Sequence, residues 1–423
     1  MRFVALRAPW YKGYWAGGSL MMGGDNMEHA ITYWVMWQTF HSPILAGLAV
    51  LTHWLPHLFF SIPLGGLADR FDCRRLVQVS GLLFITASVG WGVLFATNSL
   101  QPWECVALLL VHGFASAIWK APDQLMLYDM VGPEGVPSAV RLMATGLTLG
   151  QLVGPAIGAL LLTTVGPTVA IFLNVLMYLP FITYLFITPM TGHVRDAGRR
   201  AAAHWSDIIS VLRDVPKYPA ILIVMILQGA VALFIGAALM PLLPEFGGTL
   251  GVPDGAGYAV LISSMAAGAL VSGITLEAIG RIRASVRVVI TTAIAYALSI
   301  LVFAFSHSYA LSIVALFVAG AGSLITSSTS TTIVQLTAPP ERRGRFVGAA
   351  GMTSNGFQAG SGILMGLLAG ALGVSGAVAF GAVGILVVAA ALLVVVLARG
   401  RRMPAPVTAT IQVVDTASNP VVE

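Results

Sequence analysis

The chain has 423 residues, of which 57% are hydrophobic and only 9% are charged, and its formal net charge is +5. So much apolar side chain exceeds what a water-soluble domain of ordinary surface chemistry can bury, so the composition indicates a protein whose solvent is lipid. The basic residues are split into small groups between apolar runs, a pattern that indicates membrane topology rather than a nucleic-acid partner.

The apolar residues fall into runs of roughly 20 or more, the length that a helix needs to cross a bilayer. Continuously apolar stretches such as 382–397 exclude the alternating pattern of barrel strands. The sequence therefore predicts an all-α polytopic membrane protein with about twelve transmembrane helices. The predicted spans are 12–39, 41–69, 74–97, 101–131, 137–163, 167–190, 218–246, 255–280, 285–306, 309–337, 344–371 and 375–398.

Two halves of six helices each are predicted from these spans. The first half is 1–190, a polar cytoplasmic linker follows at 191–217, the second half is 218–402, and a short polar tail occupies 403–423. Aligning the halves places glycines of the fifth helix over glycines of the eleventh, as a parallel repeat of six helices would.

The lysines and arginines lie at alternate ends of successive spans, and Lys120 is the exception. The positive-inside rule then places both termini in the cytoplasm. The predicted location is the plasma membrane, which is the inner membrane in a bacterium.

Ionisable residues inside the spans cost roughly 2.5 to 3.5 kcal/mol each near the bilayer centre, so they are rarely accidental. In this chain they share helical faces by their spacing. The predicted proton-coupling or cavity residues are Asp25, Glu28 and His29 on the first helix and His112, Lys120 and Asp123 on the fourth.

Lys120 and Asp25 lie at similar depths, roughly 17 to 20 Å from the cytoplasmic helix ends. We expect Lys120 to pair with Asp25 or Glu28, and movement of Lys120 or entry of substrate to drive protonation. The alternative is a static ion pair that only holds the two helices together.

His53 and His57 are spaced i and i+4 on the second helix, as in half of a metal site. No Cys or carboxylate lies near them on that helix, so we expect polar packing histidines and no metal. Neither a phosphate-binding loop nor a catalytic constellation occurs, and the sequence therefore predicts neither a cofactor nor an enzyme.

Aromatic, methionine and hydroxyl side chains on several spans could form a soft wall for a bulky ligand, although packing, lipid contact or bonding to their own helix would explain each one. The candidates are Tyr33, Trp37, Trp119, Met126, Phe234, Met240, Ser327 and Ser330.

On the fifth helix, glycines recur every four residues and leave one side nearly without side chains, which predicts close helix packing. They are Gly146, Gly150, Gly154 and Gly158, with Pro155 inserted.

The segment Gly65-Gly66-Leu67-Ala68-Asp69-Arg70-Phe71-Asp72-Cys73-Arg74-Arg75 resembles the signature loop between helices 2 and 3 of the major facilitator superfamily. With 154–158 and 340–345, it is similar to the exporter branch that includes enterobactin exporters and proton-driven macrolide pumps. The resemblance implies the major facilitator fold. Two positions depart from the family pattern: Asp72 replaces a common glycine, and Cys73 replaces a usual basic residue.

In that family, acidic and basic residues of the signature loop form a conformational latch at the cytoplasmic helix ends. By resemblance the latch here comprises Gly65, Asp69, Arg70, Arg74 and Arg75. Asp129, at the predicted cytoplasmic end of the fourth helix, is the expected partner of Arg74 or Arg75. The alternative is that the arginines only set topology. The glycine pattern of the fifth helix is associated in the family with antiporters.

The predicted function is secondary active transport of a small amphipathic molecule by alternating access, in the form of proton-coupled export. An importer, a uniporter, a lipid or lysophospholipid flippase and a membrane sensor that does not transport are the alternatives. The expected partners are the substrate, protons and membrane lipid, with a monomer as the functional unit.

Overall fold

The computed structural model describes residues 4–68, 70–193, 205–252, 255–279, 284–339 and 343–399. These residues form long helices joined by short turns, which confirms the predicted all-helical fold. The helices are α1 (Tyr11–Phe40), α2 (Pro43–Ala68), α3 (Cys73–Thr97), α4 (Pro102–Thr164), α5 (Gly166–Ile187), α6 (Trp205–Asp214), α7 (Pro219–Phe234), α8 (Leu239–Thr249), α9 (Gly255–Ile279), α10 (Val286–Ala304), α11 (Tyr309–Thr337) and α12 (Arg343–Arg399).

The two longest helices, α4 and α12, each contain two spans separated by a glycine. Gly132 has φ 68° and ψ 173°, and Gly373 has φ 76° and ψ 165°. These backbone conformations are open to glycine and strained for residues with a Cβ. The two breaks fall where the sequence predicts helices to end, near 131 and 371.

Ten segments of the described chain are long and apolar enough to cross a membrane, and the last of them, Gly348–Ala398, includes the break at Gly373. Helix α1 is absent from these ten because its glycines and polar side chains lower its hydropathy, yet its 30 residues are long enough to span. Counting α1 and dividing the last segment agrees with about twelve helices. The chain is an integral membrane protein.

The seventh span differs from the prediction. The sequence predicts one helix over 218–246, whereas the structure interrupts it between α7 and α8 with a short 3-10 turn at Gly236–Ala238. Gly236 has φ 43°, which a helix cannot accommodate. The interruption lies beside a cavity described below.

The glycines predicted to give close packing face α1. A Cβ at Gly150 would lie 2.8 Å from the backbone nitrogen of Gly23, and one at Gly158 would lie 3.1 Å from the carbonyl oxygen of Met27. The second span of α4 therefore touches the backbone of α1 directly. This contact holds the polar face of α1 in a fixed orientation.

The N-terminal and C-terminal parts of the chain meet near the end of α1, the beginning of α2 and the beginning of α9. Trp34 stacks on Tyr258 with ring centroids 5.4 Å apart. A Cβ at Gly47 of α2 would lie 2.9 Å from the Cα of Gly366 of α12. This contact, called here the closed end, is remote in the fold from the linker side, where α7 begins.

The linker contains the short amphipathic helix α6, whose Val211 is buried against the core formed by α7, α10 and α12. The rest of the predicted linker at 194–204, and the predicted tail at 403–423, lie outside the described residues.

Candidate functional site

A buried polar network surrounds Glu28, whose exposed fraction is 2%. Its Oε1 contacts His112 Nδ1 at 2.8 Å. Its Oε2 accepts from the Ser88 hydroxyl, from Asn174 Nδ2 at 3.3 Å and from the Tyr178 hydroxyl at 3.3 Å. The donors come from α3, α4 and α5, so this one carboxylate joins three helices to α1.

Asp25 lies one helical turn from Glu28 and contacts the other nitrogen of the same ring. The distance from His112 Nε2 to Asp25 Oδ1 is 2.6 Å. The imidazole of His112, 1% exposed, therefore bridges two carboxylates. The side chain of Asp25 is 15% exposed, so it is the more accessible of the two acids.

The i and i+3 spacing on α1 places Asp25 and Glu28 on one face, as the sequence predicts. Phe84 of α3 meets the His112 ring edge-on, with centroids 4.7 Å apart, and stacks on Tyr178. These apolar contacts hold the ring between the carboxylates.

Two further imidazoles, those of His29 and His53, lie beside this bridge. His29 Nδ1 lies 2.8 Å from the backbone carbonyl oxygen of Asp25, and His29 Nε2 lies 3.3 Å from His53 Nδ1. A carbonyl oxygen only accepts, so Nδ1 of His29 carries a hydrogen, and in a neutral ring Nε2 accepts from His53. The network thus extends from α1 to α2.

One ring nitrogen from each of His29, His53 and His112 lies within 4.8 Å of the others, close enough for a transition metal to bridge. In the structure both nitrogens of His29 and of His112 already have hydrogen-bond partners. From the sequence, His53 was paired only with His57 as half of a possible metal site. In the structure, His57 Nε2 lies 3.1 Å from the hydroxyl of Ser116.

Lys120 does not form the pair that the sequence predicts. Asp25 and Glu28 contact His112, while Lys120 is exposed on α4. Asp123 is buried and accepts from the Tyr14 hydroxyl at 2.9 Å, away from the bridge. Sequence reasoning aligned Lys120 with the acids by depth, but the structure places His112, about 12 Å from Lys120 along the axis of α4, against the acids.

At the signature loop, Arg74 contacts Asp72 rather than the expected Asp129. Arg74 Nη2 lies 2.6 Å from Asp72 Oδ2, and Arg74 Nη1 donates to the carbonyl oxygen of Thr188 at 2.6 Å. Asp72 also caps α3 through the backbone nitrogen of Arg74, at 2.9 Å. Asp72, which stands where the family commonly has glycine, is therefore the ion-pair partner of Arg74.

The other latch candidates are spread over the same region. Arg75 Nη1 donates to Gln78 Oε1 at 3.3 Å, and its guanidinium lies over the Phe186 ring. Arg70 is exposed in the turn after α2, and Asp129 is fully buried in α4. Gly65 lies in the last turns of α2, and Asp69 lies outside the described residues.

Partial burial opposes ionisation of Asp72, but hydrogen bonds from the side chain and backbone of Arg74 outweigh it, so the pKa of Asp72 lies below its usual value. Arg75 adds a favourable charge. Asp72 is therefore ionised near neutral pH.

Most candidates for a ligand wall are packed into cores. Tyr33, Trp37, Trp119 and Met126 are buried. Met240 packs against the cores that contain Tyr33 and Trp37, and Phe234 packs against Phe380 of α12. Ser327 and Ser330 instead line cavities in the C-terminal half, although each hydroxyl donates to its own helix, at 3.2 Å and 2.7 Å. Each serine thus lines a cavity and also bonds to its own helix, and its role in a ligand wall stays a prediction.

Those cavities are adjoining spaces of about 220 and 270 Å³ between α7, α11 and α12. Gln228 and Ser354 line both of them, Gln358 lines the first and Asn355 lines the second.

Sequence reasoning missed Ser88, Asn174 and Tyr178. A signal for one of them was present, because Asn174 is the only amide side chain in α5. Ser88 and Tyr178 gave none, since serine and tyrosine are ordinary in membrane helices.

A family model described as transmembrane secretion effector matches residues 2–416. The chain is 28% identical over 129 residues to an uncharacterised MFS-type transporter of Schizosaccharomyces pombe, covering 30% of this chain and 27% of that protein. It is 20% identical over 177 residues to the staphyloferrin A transporter of Staphylococcus aureus, covering 40% and 45%. The matches thus span less than half of either relative.

Solved transporters share the fold. The nucleoside transporter NupG superposes with a TM-score of 0.71 at 14% identity, covering 91% of this chain and 99% of that one. The D-xylose-proton symporter gives 0.69 at 14% identity, covering 92% and 97%. The chain belongs to the MFS_3 family of transmembrane secretion effectors, within the major facilitator superfamily.

Proposed function

We propose that this transporter is a proton-coupled exporter, an antiporter that moves a small amphipathic molecule by alternating access between the halves 1–190 and 218–402. It works as a monomer in the bacterial inner membrane with both termini in the cytoplasm. The observation that carries the proposal is the bridge Asp25–His112–Glu28. The family description, which names secretion, supports the direction.

The bridge has the connectivity of a proton relay. Each nitrogen of His112 faces a carboxylate oxygen, so either the ring carries two hydrogens between two carboxylates or one hydrogen resides on an acid. From a neutral ring that carries its hydrogen on Nδ1, the proton on Asp25 moves to Nε2 while the Nδ1 hydrogen moves to Glu28, so Asp25 is ionised again and the ring stays neutral. The proton thus passes from the more exposed acid to the buried one without rotation of the ring.

Protonation of Glu28 affects packing between helices. The carboxylate accepts from Ser88 of α3 and from Asn174 and Tyr178 of α5. A protonated acid offers fewer acceptor sites and donates one hydrogen, so these bonds weaken or rearrange. Proton binding is thereby coupled to how α1 packs on α3 and α5, which is the link that alternating access needs.

The test uses inside-out vesicles that hold a proton gradient. Para-nitrophenyl compounds that are neutral, cationic and anionic are added, and proton release is followed with a pH-sensitive dye. We expect at least one compound to release protons with the wild type, and Asp25→Asn, Glu28→Gln and His112→Gln to reduce that release by an order of magnitude. Asp214→Asn, in the linker, is the control carboxylate.

If the variants still transport the compound and release protons like the wild type, the bridge is structural. Facilitated diffusion or lipid movement would then describe this protein better than antiport.

A further inference from the structure

Three carboxamide side chains converge on the cavities of the C-terminal half. Gln228 projects from α7, and Asn355 and Gln358 project from the first span of α12; all three are half-buried. Because Gln228 and Ser354 line both cavities, the two spaces adjoin at these residues and are treated together as one groove. This groove is called here the amide groove.

Within the described part of the chain, the side chains of Gln228, Asn355 and Gln358 have no hydrogen-bond partner in the protein. The neighbouring hydroxyls differ, because Ser330 donates to the Thr326 carbonyl oxygen at 2.7 Å. A primary amide offers two donors and one acceptor, and because these side chains are half-buried on the cavity walls, those groups are open to a ligand. The amides are therefore positioned for a partner outside the protein.

The chemistry of the groove selects against charge. Among its described lining residues, Tyr296 is the only ionisable one, so an ionised ligand would find no counter-ion there. Val231, Met265 and Val334 supply apolar surface beside the amides. The complementary ligand has hydroxyl or amide groups on one side and an apolar part on the other.

The depth of the groove matches that of the proton network. Gln228 lies roughly 14 Å from the start of α7 and Gln358 roughly 22 Å from the start of α12, at about 1.5 Å per residue. Asp25 lies roughly 21 Å from the start of α1 on the same scale. A site near the midplane is where alternating access requires the substrate.

We propose that the amide groove binds the transported molecule, and that this molecule is uncharged and carries several hydroxyl or amide groups, held by Gln228, Asn355 and Gln358. The inference rests on the proposed transport function and assigns a different role to each half. The N-terminal half handles the proton, and the C-terminal half recognises the substrate.

The test measures binding without a proton gradient. Purified transporter in lipid nanodiscs is dialysed against para-nitrophenyl β-glucoside, which is neutral and rich in hydroxyls, and the bound dye is read by absorbance. Three congeners share the ring: para-nitroanisole without hydroxyls, para-nitrobenzyltrimethylammonium as a cation and para-nitrophenyl sulfate as an anion. We expect the glucoside to bind and the congeners to compete poorly.

Gln228→Leu and Gln358→Leu keep side-chain volume and remove the amide, and each is expected to weaken glucoside binding by about tenfold. Ser354→Ala provides a milder change should a leucine variant elute as aggregate. Gln38→Leu is the matched control, because Gln38 is exposed at the far end of α1. Its binding should equal that of the wild type.

Equal binding of charged or hydroxyl-free congeners, wild-type affinity in both leucine variants, or absence of glucoside binding at millimolar concentration would each overturn the inference. If the leucine variants lose binding while Asp25→Asn and Glu28→Gln leave proton release unchanged, the amide groove stands and proton coupling fails. If the acid variants abolish proton release while the leucine variants bind normally, coupling stands and the groove inference fails.

Discussion

At the residue scale, the bridging imidazole decides how the two acids of α1 are used. Asp25 and Glu28 were predictable from i, i+3 spacing and from the cost of charge in a membrane. Their partner was not, because His112 and Lys120 lie two turns apart on one face of α4, and only the position of that helix along its axis relative to α1 selects one of them. His112 contacts both acids because its two ring nitrogens point in different directions. A lysine has a single ammonium group and lacks this fixed geometry.

Lys120→Met should therefore change proton release little. The ammonium is exposed and forms no ion pair with Asp25 or Glu28, so its removal leaves the bridge intact. The vesicle assay described above checks this, with His112→Gln tested in parallel. A loss in Lys120→Met as large as in His112→Gln would contradict the geometry.

Asp72→Asn should lower thermal stability at neutral pH and matter less in acid. The pKa of Asp72 is lowered in the fold, so the ionised side chain contributes stability above the unfolded value of about 3.9, and that contribution is lost as pH falls through the lower folded value. Melting curves of wild type and variant in nanodiscs should converge as the pH falls below about 4. A constant difference at all pH values would show that charge is not the cause.

At the element scale, the sequence predicts where helices end better than it predicts an interruption within a span. Breaks at Gly132 and Gly373 follow apolar runs that end in glycine or proline, so the sequence marks them. The interruption at Gly236 lies inside an unbroken apolar run, and no local signal separates it from the packing glycines nearby. Tertiary contacts with α12 decide it, since a Cβ at Gly236 would lie 2.9 Å from the Ser361 hydroxyl.

Gly154→Ala should destabilise the protein by about 1 to 3 kcal/mol, the cost of overpacking. Its Cβ would meet the backbone of α1, including the nitrogen of Met27 at 3.1 Å, and neither backbone can yield locally. Thermal unfolding in nanodiscs measures the effect.

Gly370→Ala is the matched control, because nothing lies within 4 Å of a Cβ at Gly370 of α12. It should leave stability unchanged or raise it by up to about 1 kcal/mol through helix propensity. Equal melting temperatures for the two variants would show that the glycine face does not require close approach.

At the scale of the whole molecule, the contact between the halves is concentrated at the closed end. The stack of Trp34 on Tyr258 and the approach of Gly47 to Gly366 join the halves there. The amide groove and the acid bridge lie deeper, toward the linker side. A transporter changes state by separating such a contact, so mutations in it should shift populations.

Gly47→Ala should open the closed end. Its Cβ would lie 2.9 Å from the Cα of Gly366, so α2 and α12 must move apart. Spin labels at Gln38 and Thr249, which are exposed on opposite halves, should report longer distances by pulsed electron resonance.

Labelling can be specific because Cys73 and Cys105 are buried. Gly351→Ala, where a Cβ meets open space, is the control and should keep the wild-type distances. An unchanged distribution in folded Gly47→Ala would mean that the glycine contact does not hold this state.

The sequence alone determined the helical membrane fold, the number of spans and the family resemblance, because these depend on local hydropathy, spacing and a contiguous motif. It also identified Asp25, Glu28 and His112 as functional candidates, since charge in lipid is costly wherever it occurs. Only the tertiary structure decided which groups meet. The donors on Glu28 come from residues separated from it by 60 to 150 positions, and the amides of Gln228 and Gln358 became distinctive only because they have no hydrogen-bond partner among the described residues. Hydrogen bonding acts over about 3 Å, and helix rotation, which follows from packing of the whole molecule, sets every such distance.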